Sequence, residues 1–402
     1  MTHIKYNGIM NNNRPQFKKK GGNPDSFLYT LIFMLAGLLR KGCQSLHIDN
    51  EKIKGLKAPF IVLCNHVSFY DFYYVSELLS DYRPAYVINR LYTRRLILKF
   101  ISNRIGMIPK KLFAPDMAAL SIARMIKAGY PVVIFPEGRL SVDGKNSPIF
   151  EDASLLYKRL GVDIVIVQLR GAYFSKPRWR SKFFRSDIYA SVREHISKEE
   201  IAKISVDEIR ERIVQGISHA DSENPINTYH QKNRAKGLEN ILYRCADCGK
   251  LYTTRSRGAD ICCISCGSIH HLNENYLFDD EIKSIPVYYN RIKEMEKREL
   301  KNTLLSAQVK VKITSDTKPY VKKERGICTL SKDVFTYRSK SGGFTKKSEE
   351  IMALSFYTEK SFKLYHKQCE YAFFPEQNKQ QIVRWAVIVD IINENAKIKE
   401  NM

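Results

Sequence analysis

The chain has 402 residues, and its 66 Lys and Arg residues outnumber 42 Asp and Glu residues, which gives a formal charge of +24. With 44% apolar and 27% charged residues it is predicted to be globular, which excludes a disordered chain and an integral membrane protein. The positive charge implies acidic partners, namely nucleic acid, an anionic membrane surface or phosphorylated substrates. Because the basic residues are scattered along the whole chain, nucleic acid is the disfavoured partner. The length predicts two or three domains.

An apolar segment, Phe27–Leu39, follows a basic stretch at residues 1–24 that is predicted to be flexible. Thirteen residues are too few to cross a bilayer as a helix. Basic residues flank both ends and no small-x-small cleavage site follows, so a signal peptide is disfavoured. We expect a membrane-associated helix over 25–43 that lies in one leaflet with its basic flanks on lipid headgroups. An ordinary buried helix is the alternative.

Apolar strands alternate with helical segments over residues 44–222, which is typical of an α/β sandwich with a mostly parallel central sheet. The predicted strands are Ser45–Ile48, Pro59–Cys64, Ala85–Ile88, Pro131–Phe135 and Asp163–Leu169. The predicted helices between them are Asp71–Leu79, Leu91–Ile105 and Asp116–Gly129. Two capping boxes, Ser197-x-x-Glu200 and Ser205-x-x-Glu208, predict two further helices at the end of this domain.

The remainder of the chain divides into four predicted segments. A basic helical connector at 223–242 leads into a cysteine module at 243–275, and a helical linker at 276–304 precedes a β-rich domain at 305–396. The β-rich runs of that domain are 309–314, 327–337, 351–357, 361–366 and 370–374, and one long amphipathic helix, Gln377–Glu394, follows them. Several strands closed by a single helix suggest a small pleckstrin-homology-like fold, by fold analogy alone.

The first chemical signal is Asn65-His66-Val67-Ser68-Phe69-Tyr70-Asp71, an N-H-x4-D (HX4D) pattern directly after a predicted buried strand. Histidine is well suited to take a proton from an alcohol at neutral pH, so that the alcohol oxygen can attack a thioester carbonyl. A carboxylate five residues later can hold the other imidazole nitrogen and stabilise the imidazolium. The alternative is that Asp71 caps the helix and His66 is an ordinary polar residue of the loop.

The second signal is Phe135-Pro136-Glu137-Gly138-Arg139, which follows another predicted buried strand. In open α/β sheets ligands collect at the carboxyl ends of the strands, so His66 and Glu137 are both expected where a substrate binds. Glu137 can bind an acceptor hydroxyl, Gly138 permits close approach of the backbone, and Arg139 can hold a phosphate. A strand end with an ordinary turn is one alternative, and for Arg139 the other is a pair with a carboxylate such as Asp143 or Asp152 that only shapes the loop.

Over about residues 45–220 the chain resembles the phospholipid/glycerol acyltransferase family, the group that contains lysophosphatidate and glycerol-3-phosphate acyltransferases. The family's first motif falls on Asn65, His66 and Asp71, and its third, usually F-P-E-G-T-R-S, on Phe135 to Gly138 with Ser141 in the last position. The positions of the second motif are Gly106, Met107, Ile108, Lys110 and Lys111, and the fourth motif corresponds to Ile164–Leu169. The divergent bacterial set with R-L-S-V-D-G after the glutamate is the most similar, and its members also carry a cysteine module and a β-rich tail.

The resemblance implies an O-acyltransferase of phospholipid biosynthesis, like 1-acylglycerol-3-phosphate O-acyltransferase, with His66 as general base, Asp71 as its support and no catalytic cofactor. Acyl-CoA or acyl-carrier protein would be the donor, and lysophosphatidate or a related glycerophosphate lipid the acceptor. The implied substrate-binding residues are Asn65, Lys110, Lys111, Glu137, Gly138 and Arg139. Three departures fall in this group: the usual Thr-Arg pair is Arg139-Leu140, lysines replace arginine in the second motif, and the fourth motif lacks prolines.

The third signal is Cys245-x2-Cys248 followed by Cys263-x2-Cys266, the two-knuckle spacing of a zinc ribbon. Four thiolates fill a tetrahedral zinc shell and leave no place for water, so one structural zinc is predicted. Cys262 is the alternative to Cys263 as a ligand. The two nearby histidines are expected to be surface residues: His270 and His271.

Two hypotheses describe the whole chain. In the first it is an acyltransferase attached peripherally or monotopically to the inner face of the cell membrane, with the ribbon and the β-rich tail docking it to membrane or protein partners. In the second it is a catalytically degenerate adaptor whose basic surface, ribbon and tail bind anionic lipid, nucleic acid or protein. The intact His66, Asp71 and Glu137 favour the enzyme. The scattered cysteines outside the module favour a reducing compartment, the cytoplasm.

Overall fold

The computed structural model describes residues 26–40, 44–89, 104–110, 118–149, 151–180, 183–315 and 321–400. The predicted helix Leu91–Ile105 lies almost entirely outside these residues, as do the predicted helix cap Asp116 and the motif residue Lys111.

A seven-stranded sheet forms the centre of the N-terminal half. Across the sheet the strands are ordered β1-β7-β6-β2-β5-β3-β4, and every pair is parallel except β6 with β7. The α/β fold with a mostly parallel sheet is therefore confirmed, although β4 and β7 were not predicted. The strands are β1 (Gln44–Asp49), β2 (Phe60–Cys64), β3 (Ala85–Asn89), β4 (Met107–Lys110), β5 (Val132–Ile134), β6 (Asp163–Arg170) and β7 (Ser186–Ile196).

Helices cover both faces of this sheet because successive side chains of its central strands point to opposite sides. Val62 of β2 lies in one core with α2, and Leu63 lies in the other core with α3 and α7. Both predicted capping serines are confirmed: Ser197 and Ser205 each accept a hydrogen bond from the amide three residues later. The helices are α1 (Ser26–Arg40), α2 (Asp71–Leu78), α3 (Ala118–Lys127), α4 (Glu151–Leu160), α5 (Ala172–Ser175), α6 (Lys198–Lys203) and α7 (Val206–Ile217).

Helix α1 packs one face on the domain and leaves an apolar face in contact with solvent. Tyr29 and Phe33 are buried, and the Tyr29 hydroxyl lies 3.3 Å from Ser76 Oγ of α2. Within the part of the chain that the structure describes, no helix is long and apolar enough to span a membrane. The large apolar side chains exposed on α1 are Phe27, Met34, Leu35 and Leu38.

The connector predicted as a helix at 223–242 is instead a series of turns with one 3-10 turn, Leu238–Asn240, so that prediction was wrong. The physical reason is the Asn227 side chain, which pairs with both the amide (2.7 Å) and the carbonyl (3.0 Å) of Asp187 on β7 and so holds the chain extended. Gly237, at φ +89°, has a left-handed conformation that does not continue a helix.

The cysteine module and the C-terminal region are antiparallel. The module contains β8 (Thr254–Arg257), β9 (Asp260–Cys263) and β10 (Ile269–His271), and the helix α8 (Ile285–Glu299) follows. The β-rich region predicted at 305–396 is confirmed as a seven-stranded sheet ordered β14-β13-β12-β11-β17-β16-β15. Its strands are β11 (Leu305–Ser315), β12 (Val321–Leu330), β13 (Val334–Ser339), β14 (Gly342–Lys347), β15 (Ser355–Tyr357), β16 (Ser361–His366) and β17 (Cys369–Pro375).

The closing helix α9 (Gln381–Glu400) is not amphipathic as predicted, because it packs against both the sheet and α8. The Trp385 ring stacks on Phe362 of β16 at a centroid distance of 4.8 Å. The apolar residues in the N-terminal part of α9 are buried, and one continuous hydrophobic core runs from the central sheet through the cysteine module to this helix. The fully or nearly fully buried side chains of α9 are Ile382, Val383, Trp385, Ala386, Val387, Ile388, Val389 and Ile391.

A buried ion cluster joins the cysteine module, α8 and α9. The Glu296 carboxylate accepts hydrogen bonds from Arg384 Nε and Nη2 at 2.9 and 3.0 Å, and Arg244 Nη1 lies 3.6 Å from it. All three side chains are almost fully buried, so their charges are exposed to little screening by solvent.

Removing the Glu296 charge should therefore loosen the C-terminal half. We expect Glu296→Gln to lower the free energy of unfolding by about 3–5 kcal/mol, because the buried Arg384 guanidinium loses its anion, while Arg244 keeps its hydrogen bonds to Glu299. Equilibrium denaturation followed by tryptophan fluorescence measures this. Glu394→Gln is the matched control on α9, since its partner Lys297 is partly exposed, and it should cost less than about 1 kcal/mol. Equal losses in the two variants would contradict the buried-cluster interpretation.

Candidate active site and cysteine cluster

His66 lies in the loop after β2, and Asp71 is the first residue of α2, so the strand-to-helix turn brings the two side chains together. His66 Nδ1 lies 2.9 Å from Asp71 Oδ2. The same oxygen accepts hydrogen bonds from the amides of Val67 (2.8 Å) and Ser68 (2.9 Å), so Asp71 fixes the loop before it rather than capping the helix after it. Among the described residues none bonds to His66 Nε2, and the histidine side chain is 23% exposed. This nitrogen is therefore available to a substrate.

The Asp71 carboxylate is fully buried. Burial raises the pKa of Asp71, while the hydrogen bond and charge of His66 and the amides of Ser68 and Val67 oppose that rise. Within the described part of the chain its Oδ1 has no hydrogen-bond partner. His66 Nδ1 is therefore the side-chain partner that offsets part of the desolvation of the Asp71 carboxylate.

The loop after β5 holds the His66 backbone from both sides. The Glu137 carboxylate accepts a hydrogen bond from the His66 amide at 2.8 Å, and the Ser141 amide donates to the His66 carbonyl at 2.9 Å. Glu137 also accepts from Asn146 Nδ2 (3.1 Å) and from the Ser147 amide (2.6 Å). Burial raises the pKa of Glu137, and these hydrogen bonds oppose the rise.

Three protein donors and almost complete burial leave Glu137 turned inward, so the structure does not support its predicted role as a ligand for an acceptor hydroxyl. The predicted substrate ligand Asn65 is likewise buried: its side chain donates to the Leu169 carbonyl (2.9 Å) and accepts from the Leu169 amide (2.7 Å). Glu137 and Asn65 thus hold the backbone of the site in place through hydrogen bonds. Asn146 and Ser147 belong to it as well, but no motif in the sequence marks them.

Two glycines give the loop after β5 its shape. Gly138 has φ +67° and its amide donates to the Phe135 carbonyl at 3.0 Å, which closes a tight turn. Gly144 has φ +96°, and a Cβ there would lie 2.3 Å from Ser222 Oγ. The His66 ring stacks on Phe135, with the ring centroids 4.2 Å apart, so this loop also supports the imidazole itself.

Arg139 does not point to an open phosphate site. Its Nη1 donates to both carboxylate oxygens of Asp390 on α9, at 2.9 and 2.8 Å, and its Nε donates to Ser147 Oγ at 3.3 Å. The expected phosphate ligand is thus already paired with a carboxylate from the C-terminal region. An anionic ligand would have to displace that carboxylate.

Lys110 shares the carboxyl edge of the sheet with His66 but is not beside it. It ends β4, which is three strands from β2 in the sheet, so the two strand ends are separated by roughly 14 Å at the usual spacing. Lys111 lies outside the described residues.

A series of aromatic ring contacts connects α1 with the loop that carries His66. The Phe33 and Phe72 centroids are 6.0 Å apart, and those of Phe72 and Phe69 are 6.4 Å apart. Phe69 follows His66 by three residues, and 49% of it is exposed. An exposed apolar surface therefore lies next to the His66 site on the side of α1.

The four predicted zinc ligands come together in the cysteine module, with their sulfurs all within 4.8 Å of one another. Cys245 Sγ lies 3.8 Å from Cys266 Sγ, and Cys248 Sγ lies 3.7 Å from Cys263 Sγ. A tetrahedral zinc with Zn–S bonds of about 2.3 Å requires sulfurs about 3.8 Å apart, so the cluster fits a metal ion of this kind. Cys262 is not part of the cluster.

The knuckles of the module have the same backbone form. Gly249 (φ +71°) and Gly267 (φ +78°) follow the two Cys-x2-Cys pairs, and their amides donate to Cys245 O (3.1 Å) and Cys263 O (3.0 Å). His270 was expected on the surface but is buried, because it faces Phe278 and Tyr288 and pairs with two aspartates. Its partners are Asp280, 2.7 Å from Nδ1, and Asp247, 2.9 Å from Nε2.

The family model described as Acyltransferase matches residues 45–169, which extend from β1 into β6 and include both the His66 and the Glu137 motifs. The chain contains an acyltransferase domain. This confirms the resemblance to the glycerolipid acyltransferase family and leaves the cysteine module and the β-rich region outside the matched segment.

The solved structures that are similar to part of this chain include the 1-acyl-sn-glycerophosphate (LPA) acyltransferase PlsC from Thermotoga maritima. The likeness covers 47% of this chain and 73% of that chain, at 18% sequence identity and a TM-score of 0.39. A likeness at this level shows neither the activity nor the substrates of this protein.

Proposed function

We propose that this protein is an O-acyltransferase of glycerolipid synthesis in which His66 is the general base. The observation that carries the proposal is the His66–Asp71 pair, 2.9 Å apart at the end of a central strand and inside the segment that matches the acyltransferase family. A buried carboxylate is costly to keep ionised, and a binding-only adaptor has no need of one beside an accessible imidazole. A catalytic role for the pair explains why this unfavourable burial is present.

The reaction uses the substrate's own hydroxyl as nucleophile. His66 Nε2 takes the hydroxyl proton while the oxygen bonds to the carbonyl carbon of an acyl thioester, and the C=O electron pair moves onto the carbonyl oxygen. Collapse of this tetrahedral intermediate re-forms C=O and breaks the C–S bond. The departing thiolate takes the proton from the imidazolium, so a thiol and an ester are the products. Asp71 holds Nδ1–H and stabilises the imidazolium throughout.

For the substrates we propose acyl-CoA or acyl-carrier protein as donor and lysophosphatidate or a related glycerophosphate lipid as acceptor. Because Arg139 is paired with Asp390, we assign the acceptor phosphate to Lys110, which ends β4 at the same edge of the sheet as His66, and to its sequence neighbour Lys111. We propose that Gly138, which has no side chain, lets the substrate come close to the backbone of the loop after β5.

We place the enzyme on the inner face of the cell membrane, attached through α1. Helix α1 exposes apolar side chains, and the rings of Phe33, Phe72 and the exposed Phe69 connect it with the loop that carries His66, which suits a lipid acceptor that enters from a bilayer. Basic residues that flank the helix in the sequence suit anionic headgroups. We propose that the β-rich region has a pleckstrin-homology-like fold, because its seven antiparallel strands are followed by one helix.

His66→Ala should lower turnover by about 10²–10⁴-fold, because it removes the base, and Asp71→Asn should lower it to a similar degree. The measurement is the initial rate of ester formation from acyl-CoA and lysophosphatidate, with lipid products identified by mass spectrometry. His230→Ala, at an exposed histidine, is the matched control and should be fully active. Near-normal acyl transfer by folded His66→Ala protein would refute the proposal, and absence of transfer by the wild type with any lysolipid would favour the adaptor.

We also propose that Cys245, Cys248, Cys263 and Cys266 hold one structural zinc ion, since their sulfurs are spaced for tetrahedral coordination. Metal binding of this kind supplies folding energy to a small module that has little core of its own.

Purified, reduced protein should therefore contain about one zinc per chain, as four thiolate ligands require. Cys248→Ser should lower the zinc content and increase amide hydrogen exchange across residues 243–275, whereas the neighbouring control Cys262→Ser should change neither. Metal analysis by mass spectrometry and hydrogen exchange measure the two effects. Wild-type protein that carries no zinc after preparation without chelators would contradict the proposal.

Membrane attachment predicts a loss of vesicle binding when the apolar face of α1 is made polar. The triple variant Phe27→Ser, Met34→Ser, Leu38→Ser should bind phosphatidylglycerol vesicles at least about a hundredfold more weakly, because each buried apolar side chain contributes about 1.5–3 kcal/mol. Sedimentation with vesicles measures it. The control is Ile264→Ser with Ile269→Ser, which removes exposed apolar surface from the cysteine module. Equal binding by the triple variant and the wild type would exclude α1 as the anchor.

A further inference from the structure

Helix α9 reaches the acyltransferase site through one ion pair. Asp390 binds Arg139 across 251 positions of sequence, and both side chains are largely withdrawn from solvent, at 24% and 27% exposure. Burial raises the pKa of Asp390, and Arg139 opposes that rise. A partly buried ion pair is more stabilising than a surface pair only if both groups are held in place. This condition is met here, because both Asp390 carboxylate oxygens accept hydrogen bonds from Arg139 Nη1.

From Arg139 a continuous series of hydrogen bonds leads to His66. Arg139 Nε donates to Ser147 Oγ at 3.3 Å, and the Ser147 amide donates to one oxygen of the Glu137 carboxylate at 2.6 Å. The other oxygen of Glu137 accepts from the His66 amide at 2.8 Å. The position of the imidazole is thus coupled, contact by contact, to a side chain of the C-terminal helix.

A second arginine fixes the same loop to the C-terminal sheet. Arg178 donates to the Leu140 carbonyl at 3.0 Å and to the Phe356 carbonyl at 2.8 Å, and its guanidinium lies 4.1 Å from the Phe356 ring centroid. Burial, together with the charge of Arg139, lowers the pKa of Arg178 to about 10. Two guanidinium groups next to one loop require a compensating anion, and Asp390 supplies it.

We propose that Asp390 is a positioning residue for acyl transfer. By holding Arg139 it fixes the loop after β5, and through Ser147 and Glu137 it fixes the backbone of His66. The C-terminal region is then a working part of the catalytic unit rather than only a docking module. This inference rests on the proposed function of His66.

The test compares Asp390→Asn with the wild-type full chain, using acyl-CoA and two acceptors, lysophosphatidate and its neutral counterpart monoacylglycerol. Loss of a charge-assisted contact typically corresponds to about ten- to a hundredfold, and we expect this loss in kcat. The acyl-CoA KM should stay within about twofold, and kcat should fall by the same factor with both acceptors. Arg139→Gln should give a similar loss, and the double variant should be no worse than either single variant, because both act through one contact.

The control is Glu394→Gln on the same helix, which should keep wild-type kcat. Circular dichroism and thermal melting check that each variant is folded, and Asp390→Glu, which keeps the charge, should recover part of the lost kcat. Wild-type kcat in folded Asp390→Asn, or additive losses in the double variant, would overturn the proposal. Faster acylation of lysophosphatidate alone would overturn it too, because Asp390 would then be withholding Arg139 from a phosphate. His66→Ala decides the proposed function separately: if that variant is inactive while Asp390→Asn is normal, only the positioning role fails.

Discussion

The hydrogen bond from the His66 amide to the Glu137 carboxylate joins the loops at the ends of β2 and β5, and the organisation of the site depends on it. A buried carboxylate without donors costs several kcal/mol, so Glu137 requires the amides and the side-chain amide that surround it. Because two of these donors come from Asn146 and Ser147, residues 138–147 fold back toward Glu137 at the strand end. The same fold-back brings the Ser141 amide onto the His66 carbonyl and Phe135 against the imidazole. The proposed base is thus oriented by Glu137, which has no role of its own in the proposed reaction.

This dependence explains why the C-terminal half packs where it does. The fold-back leaves Arg139 at the surface of the acyltransferase domain, and α9 covers it with Asp390. Around that contact the hydrophobic core is continuous, from β2 through the cysteine module to Trp385. The buried cluster of Glu296 with Arg244 and Arg384 joins α8, α9 and the cysteine module. A module attached by a flexible linker would share neither core nor buried charge.

The sequence predicts those features that depend on local pattern. Apolar runs and caps predict most of the central strands and α2, and motif spacing predicts the His66–Asp71 pair and the four-cysteine cluster, all of which the structure brings together. The strand β14, Gly342–Lys347, has no apolar alternation and was missed, and the run 327–337 proved to be two strands divided by a turn. The partners of Glu137 and Arg139 could not be predicted either. Ser147 contributes only an amide and a hydroxyl, and Asp390 lies in a helix whose pattern indicates burial, not function.

The bond between Arg139 and Asp390 also has a consequence for the order in which the protein matures. Chains are synthesised from the N-terminus at about 5–20 residues per second, and domains tend to fold as they emerge. Every motif residue of the acyltransferase domain leaves the ribosome well before Asp390 does. A nascent chain can therefore pair β2 with β5 and form the His66–Asp71 contact while its Arg139 loop still lacks an anchor. If Asp390 has the proposed positioning role, full activity begins only when α9 has docked, and the His66 site of an unfinished chain works more slowly.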